Sequence, residues 1–115
     1  MKKENRLRKN MEFKKVYKAG KNYWNRNLIV YVKRNGTENI RIGVSITKKV
    51  GNAVVRNKLK RRIRELNRLY LPHLRAGYDI VIIPKKNVVD LSFKELESAL
   101  KHIYKISGVI EKVKE

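Results

Sequence analysis

Apolar positions along this chain follow two spacings, and the switches between them mark out its elements. Phe13, Val16 and Tyr17 recur at i, i+3 and i+4, which predicts a short helix opening at Asn10, an acceptable N-cap, and closing at Gly20. One side of it is apolar and aromatic, the other lysine. The period then shortens. Residues 28–32 are β-branched and aromatic, and Ile40, Ile42, Val44 and Ile46 alternate with Arg41, Gly43, Ser45 and Thr47. These read as two strands, the second with its isoleucine face in the core, and Tyr23 and Trp24 fit a short leading strand. Asn35-Gly36 starts the connection, so an antiparallel hairpin is the simplest expected pairing.

Helical spacing returns from about residue 53 to 70, with Val55, Leu59, Ile63, Leu66 and Tyr70 on one stripe, ended by Pro72 and Gly77. Residues 78–83 (YDIVII) read as a buried strand stopped at Pro84. Ser92 and Glu95 form a capping box opening a last helix in which Phe93, Leu96, Leu100, Ile103 and Tyr104 share a face, with Gly108 beyond it. Residues 1–9 hold only Leu7 as an anchor and are expected to be a basic, flexible arm on a single domain spanning 1–115.

Composition narrows the partners. The chain has 115 residues, and 30 Lys plus Arg against 10 Asp plus Glu leave a formal charge of +20. Such a body attracts polyanions, while 42% hydrophobic residues are too many for a disordered tail. No apolar run approaches the roughly 20 residues that cross a bilayer, and the basic N-terminus leads into no signal-peptide apolar region, so a cytoplasmic location with no membrane partner is expected. The absence of cysteine excludes disulfides, thiol catalysis and Cys-ligated metal.

The charge is concentrated beside the stripe of the 53–70 helix, where Arg56, Asn57, Lys60, Arg61, Arg64 and Arg68 fall together without an acid. Like charges at i, i+4 destabilise a helix by a few tenths of a kcal/mol each, so the clustering suggests a ligand, although a solvated basic face has the same pattern. Asn57 adds directional hydrogen bonding, and arginine forks bind phosphate bidentately. Lys48, Lys49 and Gly51 precede the helix, where its N-terminal N–H groups favour an anion. A plain turn explains Gly51 equally well.

The string SITKKVGNAVVRNKLKRRIRE resembles the signature segment of the bacterial ribonuclease P protein subunit family, in which a strand leads through KK-x-G-x-A to a helix bearing an Arg-Asn-Arg motif. Here that motif reads Arg56-Asn57-Lys58, keeping the charge at its third position but losing the fork. NRLRKNMEFKKVYKAGK and YDIVIIPKK extend the resemblance over nearly the whole chain. It implies an α+β fold, a single-domain α/β sandwich in the order α-β-β-β-α-β-α, whose β-α-β crossover is left-handed against the usual rule.

The resemblance implies a small accessory subunit with no catalytic residue and no metal site of its own. It implies a ribonuclease P RNA partner whose bound Mg2+ ions cut the 5′ leader from precursor tRNA, and no obligate protein partner. By position, Phe13, Tyr17 and Tyr31 would line a cleft for the single-stranded leader. Lys48, Lys49, Arg56, Asn57, Lys58, Lys60, Arg61, Arg64 and Arg68 would form the basic motif. Aromatic faces stack on unpaired bases of any identity, although spacing alone fits core packing of Phe13 and Tyr17 as well. Self-repulsion at +20 also makes sulfate or phosphate an expected stabilising ligand.

Two other functional classes fit the sequence less well. A nuclease acting alone needs acids or histidines gathered around metal, and the ten acids, Glu111 and Glu115 among them, are scattered without a ligand spacing. His73 and His102 read as surface residues, while Asp79 with Lys85 faintly resembles a nuclease strand. A DNA-reading protein would flank its basic helix with another helix rather than with strands.

Overall fold

The computed structural model describes residues 3–110. Met1 and Lys2 of the basic arm, and residues 111–115 with Glu111 and Glu115, lie outside the described residues. In chain order the elements are α1 (Asn10–Ala19), β1 (Lys21–Trp24), β2 (Leu28–Arg34), β3 (Arg41–Val44), α2 (Ala53–Tyr70), β4 (Tyr78–Pro84) and α3 (Phe93–Ile106). The order α-β-β-β-α-β-α is the expected one. Among the described residues, no helix is long and apolar enough to cross a membrane.

The strands form one sheet in the order β1-β2-β4-β3, with β1-β2 and β2-β4 antiparallel and β3-β4 parallel. The expected β2-β3 hairpin is therefore absent, because β4 lies between them. Ile80, Val81 and Ile82 are all fully buried, and a strand apolar on both faces is stable only where both are covered, at the sheet centre. The Asn35-Gly36 loop crosses the end of β4 instead of turning back. Asn35 N–H donates to the Gly77 carbonyl at 2.9 Å, and Gly77 N–H to the Asn39 carbonyl at 3.0 Å.

Both sheet faces are used. Leu28, Val30, Val32, Ile40, Ile42, Ile80 and Ile82 pack against Leu59, Ile63 and Leu66 of α2 and Leu96, Leu100, Ile103 and Tyr104 of α3. Phe93 is an exception to the expected α3 face: as the first helical residue it lies at the rim and is 42% exposed. On the opposite face, Leu7, Val16 and Val81 form a smaller cluster under α1, joined by Phe13, Tyr31 and Ile83. Ile46 falls beyond the end of β3 and is only half-buried.

The ends of α1 also differ from expectation. Asn10 is its first helical residue, not its cap; the Glu12 carboxylate accepts from the N–H groups of Arg8 at 3.1 Å and Lys9 at 2.9 Å. Gly20 has φ −83°, so no left-handed turn requires it. It is needed for close approach, since a Cβ there would meet the Val16 carbonyl oxygen at 2.5 Å. Asn52 caps α2, its Oδ1 accepting from Val55 N–H at 3.0 Å.

Candidate nucleic-acid interface

A groove runs along the β3 edge between α1 and α2, built from two adjoining cavities that share Phe13 and Val44. Its first part, about 310 Å³, is lined by Asn10, Phe13, Lys14 and Tyr17 of α1 with Val44 and Ser45. Phe13 reaches the groove because β3 carries Gly43, whose missing Cβ leaves space for the ring. Tyr17 is 37% exposed and meets Tyr31 of β2 edge-to-face, with centroids 5.1 Å apart. The structure thus gathers Phe13, Tyr17 and Tyr31 on one side of the sheet.

The second part, about 290 Å³, is lined by Arg6, Leu7, Arg8, Phe13, Ile42, Gly43, Val44, Lys60 and Arg64. Residues read as an arm supply a wall here. Arg6 bridges Ile42 in parallel fashion, Leu7 N–H donates to the Ile42 carbonyl at 3.1 Å, and the Leu7 side chain is buried. Arg6 and Arg8 thereby stand opposite Lys60 and Arg64, and among the described residues the lining contains no carboxylate. Burial first, then the charge of Arg6, lowers the pKa of Arg64, yet a guanidinium keeps its proton at physiological pH. Four cations lining one cavity raise the electrostatic cost of the free state.

The other basic positions spread outward from this cavity. Arg56 is half-buried, and Asn57 and Arg61 are exposed, as are Lys48 and Lys49 in the turn before α2. Arg68 is engaged by Glu65 at 2.6 Å in an exposed i, i+3 pair worth little. Lys58 faces elsewhere: with Arg62 it lines a cavity between α2 and the turn Lys86–Asp90. The structure does not bring Lys58 to the groove.

Arg6, Arg8, Gly43, Val44 and Ser45 were not singled out as site residues from sequence. Leu7 was the one available signal, since an apolar anchor flanked by arginines fixes both cations once it is buried. Arg41 was also missed. Its Nε and Nη2 donate to the two carboxylate oxygens of Asp79, each at 2.7 Å, and its Nη1 donates to Glu12 at 2.7 Å, tying α1 to β3 and β4. Asp79 additionally accepts from Asn35 Nδ2 at 2.9 Å. Its carboxylate is committed to holding the sheet to α1, which accounts for a buried acid on β4. His73 and His102 are both exposed.

Comparison with known proteins places this geometry in context. The family model for Ribonuclease P matches residues 1–107. The chain is 55% identical over 105 residues to the ribonuclease P protein component of Finegoldia magna, covering 90% of each, and 44% identical over 110 residues to that of Alkaliphilus oremlandii, covering 96% of each. Among solved structures it resembles the Staphylococcus aureus RNase P protein, with TM-score 0.87 and 37% identity over 93% of this chain and 98% of that one. It likewise resembles the Thermotoga maritima RNase P protein, with TM-score 0.81 and 33% identity over 88% and 96%.

Proposed function

Because this chain belongs to the ribonuclease P protein family, and so takes part in tRNA 5′ processing as the protein partner of an RNA subunit, we propose that its groove holds two stretches of RNA at once. The aromatic part, Phe13, Tyr17 and Tyr31, takes the unpaired 5′ leader of precursor tRNA. The cationic part and the outer face of α2 take the phosphate backbone of the catalytic RNA. The observation that carries this reading is the continuity of the two parts through Phe13 and Val44. Base stacking is indifferent to sequence, which suits a protein that meets many leaders, and phosphate contacts position without specifying.

In this reading the protein supplies no nucleophile or base. It screens repulsion between two polyanions, and the RNA holds the Mg2+ ions that activate water. Glu12 of α1 and Asp79 of β4 are both bound by Arg41, which supports assigning the metal to the RNA. Holoenzyme cleavage would then take place in the cytoplasm.

The test is single-turnover cleavage of precursor tRNA by a bacterial ribonuclease P RNA at low magnesium, with and without this protein, beside protein alone. Rescue by the protein, with no cleavage by protein alone, is expected; cleavage by protein alone overturns the reading. Phe13→Ala or Tyr17→Ala should lower precursor affinity and leave mature tRNA affinity unchanged. Equal losses for both would remove the leader from the groove.

A further inference from the structure

Trp24 is an exposed aromatic residue at one edge of the sheet. It is 64% exposed at the end of β1, the edge strand opposite β3, and it is the one tryptophan in the sequence. Strand register fixes the side it stands on. Asn22 pairs with Tyr31 and Trp24 with Ile29, so Trp24, Ile29 and Tyr31 share one face of the sheet, while Tyr23 and Val30 share the other. Tyr31 meets Tyr17, so this is the α1 face.

The same register continues across the sheet. Ile29 pairs with Ile83, and Ser45 comes one step after the Val44–Ile82 pair, with its N–H on the Ile82 carbonyl. Trp24, Ile29, Ile83 and Ser45 therefore form a row from the β1 edge to the β3 edge, about 14 Å long at the usual strand spacing. Ser45 already lines the aromatic half of the groove. The row is a floor that begins at Ser45 in the groove and is apolar from there through Ile83 and Ile29 to Trp24.

We propose that this floor is an extension of the leader cleft, with Trp24 stacking on an unpaired base beyond those held by Phe13 and Tyr17. The proposal rests on the leader-cleft reading above. Charge selects RNA as the occupant: residues 13–34, which contribute the α1 wall, β1 and β2, contain seven Lys or Arg and no Asp or Glu. A second copy of a +20 chain would be repelled by the same rim. Position gives the direction, since the cations assigned to the catalytic RNA lie at the β3 edge and Trp24 at the β1 edge. The indole meets the part of the leader that emerges farthest from that RNA.

The experiment uses the protein assembled with a bacterial ribonuclease P RNA and two precursor tRNAs, their leaders shorter and longer than the span of the row. Trp24→Ala should weaken long-leader binding about fivefold or more and short-leader binding by less, whereas Trp24→Tyr should retain most of the long-leader affinity. In the unmutated protein the long leader should quench indole emission more than the short one. Equal losses for both leaders, or emission indifferent to leader length, overturns the extension. Tyr17→Ala measured in parallel separates the failures: if it lowers precursor affinity and leaves mature tRNA affinity unchanged, only the extension is lost, and if it lowers both equally, the cleft reading falls with it.

Discussion

A Cβ on Gly43 would stand 2.5 Å from Cζ of Phe13, so the Phe13 ring occupies the volume that glycine vacates on β3. The same atom would lie 3.0 Å from Cβ of Leu7, so both the α1 wall and the N-terminal wall of the groove are seated on this one position. Gly43→Ala should expel the ring and cost about 1–3 kcal/mol by overpacking, with reduced precursor affinity. Urea unfolding midpoints and precursor binding check it. Phe13→Leu in the Gly43→Ala background should recover stability and leave affinity low.

Arg6 and Arg64 carry a second prediction. Sulfate that binds only the folded protein raises stability by mass action, about 2.7 kcal/mol at a hundredfold excess over its Kd. Thermal melts of the unmutated protein should rise with added sulfate, and the rise should shrink in Arg6→Ala combined with Arg64→Ala. Each substitution should also reduce the salt slope of RNA-subunit binding by about one. A melt indifferent to sulfate argues against an anion site.

Glu12 should confer acid sensitivity. Hydrogen bonds from the backbone of Lys9 and Arg8, with Arg41 adding its charge, hold its carboxyl below the ordinary 4.5. A folded pKa below the unfolded one means the stabilisation is complete above that ordinary value and disappears as pH falls through the folded pKa. Glu12→Gln should therefore be less stable than the unmutated protein at neutral pH, and the two melting curves should converge in acid.

Tyr104 and Asn67 test the core. Both are fully buried, and the Tyr104 hydroxyl donates to Asn67 Oδ1, leaving Asn67 Nδ2 without a partner among the described residues. Burial pushes the Tyr104 phenol up, so it stays a donor at all ordinary pH. Tyr104→Phe should cost about 1–3 kcal/mol by orphaning the amide entirely. Adding Asn67→Leu should restore much of that loss, measured as a double-mutant cycle in urea.

Periodicity in the sequence determined the three helices, the strand segments and the capping box at Ser92, because those signals depend on neighbours within one or two turns of chain. It also determined the basic face of α2 and the aromatic face of α1, since side chains at i, i+3 and i+4 share a side whatever lies opposite. The SITKKVGNAVVRNKLKRRIRE segment carried the family. Tertiary structure decided the rest. Asn35-Gly36 reads as a hairpin locally, and only competition for the doubly covered centre of the sheet inserts β4 between β2 and β3. Phe93 satisfies the α3 pattern but lies at the rim, where the core ends. Arg6 and Arg8 have no periodic partner, and they became half of the cationic cavity because Leu7 found an edge strand to dock on. A site assembled from an N-terminal segment, a strand glycine and a distant helix has no sequence spacing to read, since its distances arise from packing across the sheet.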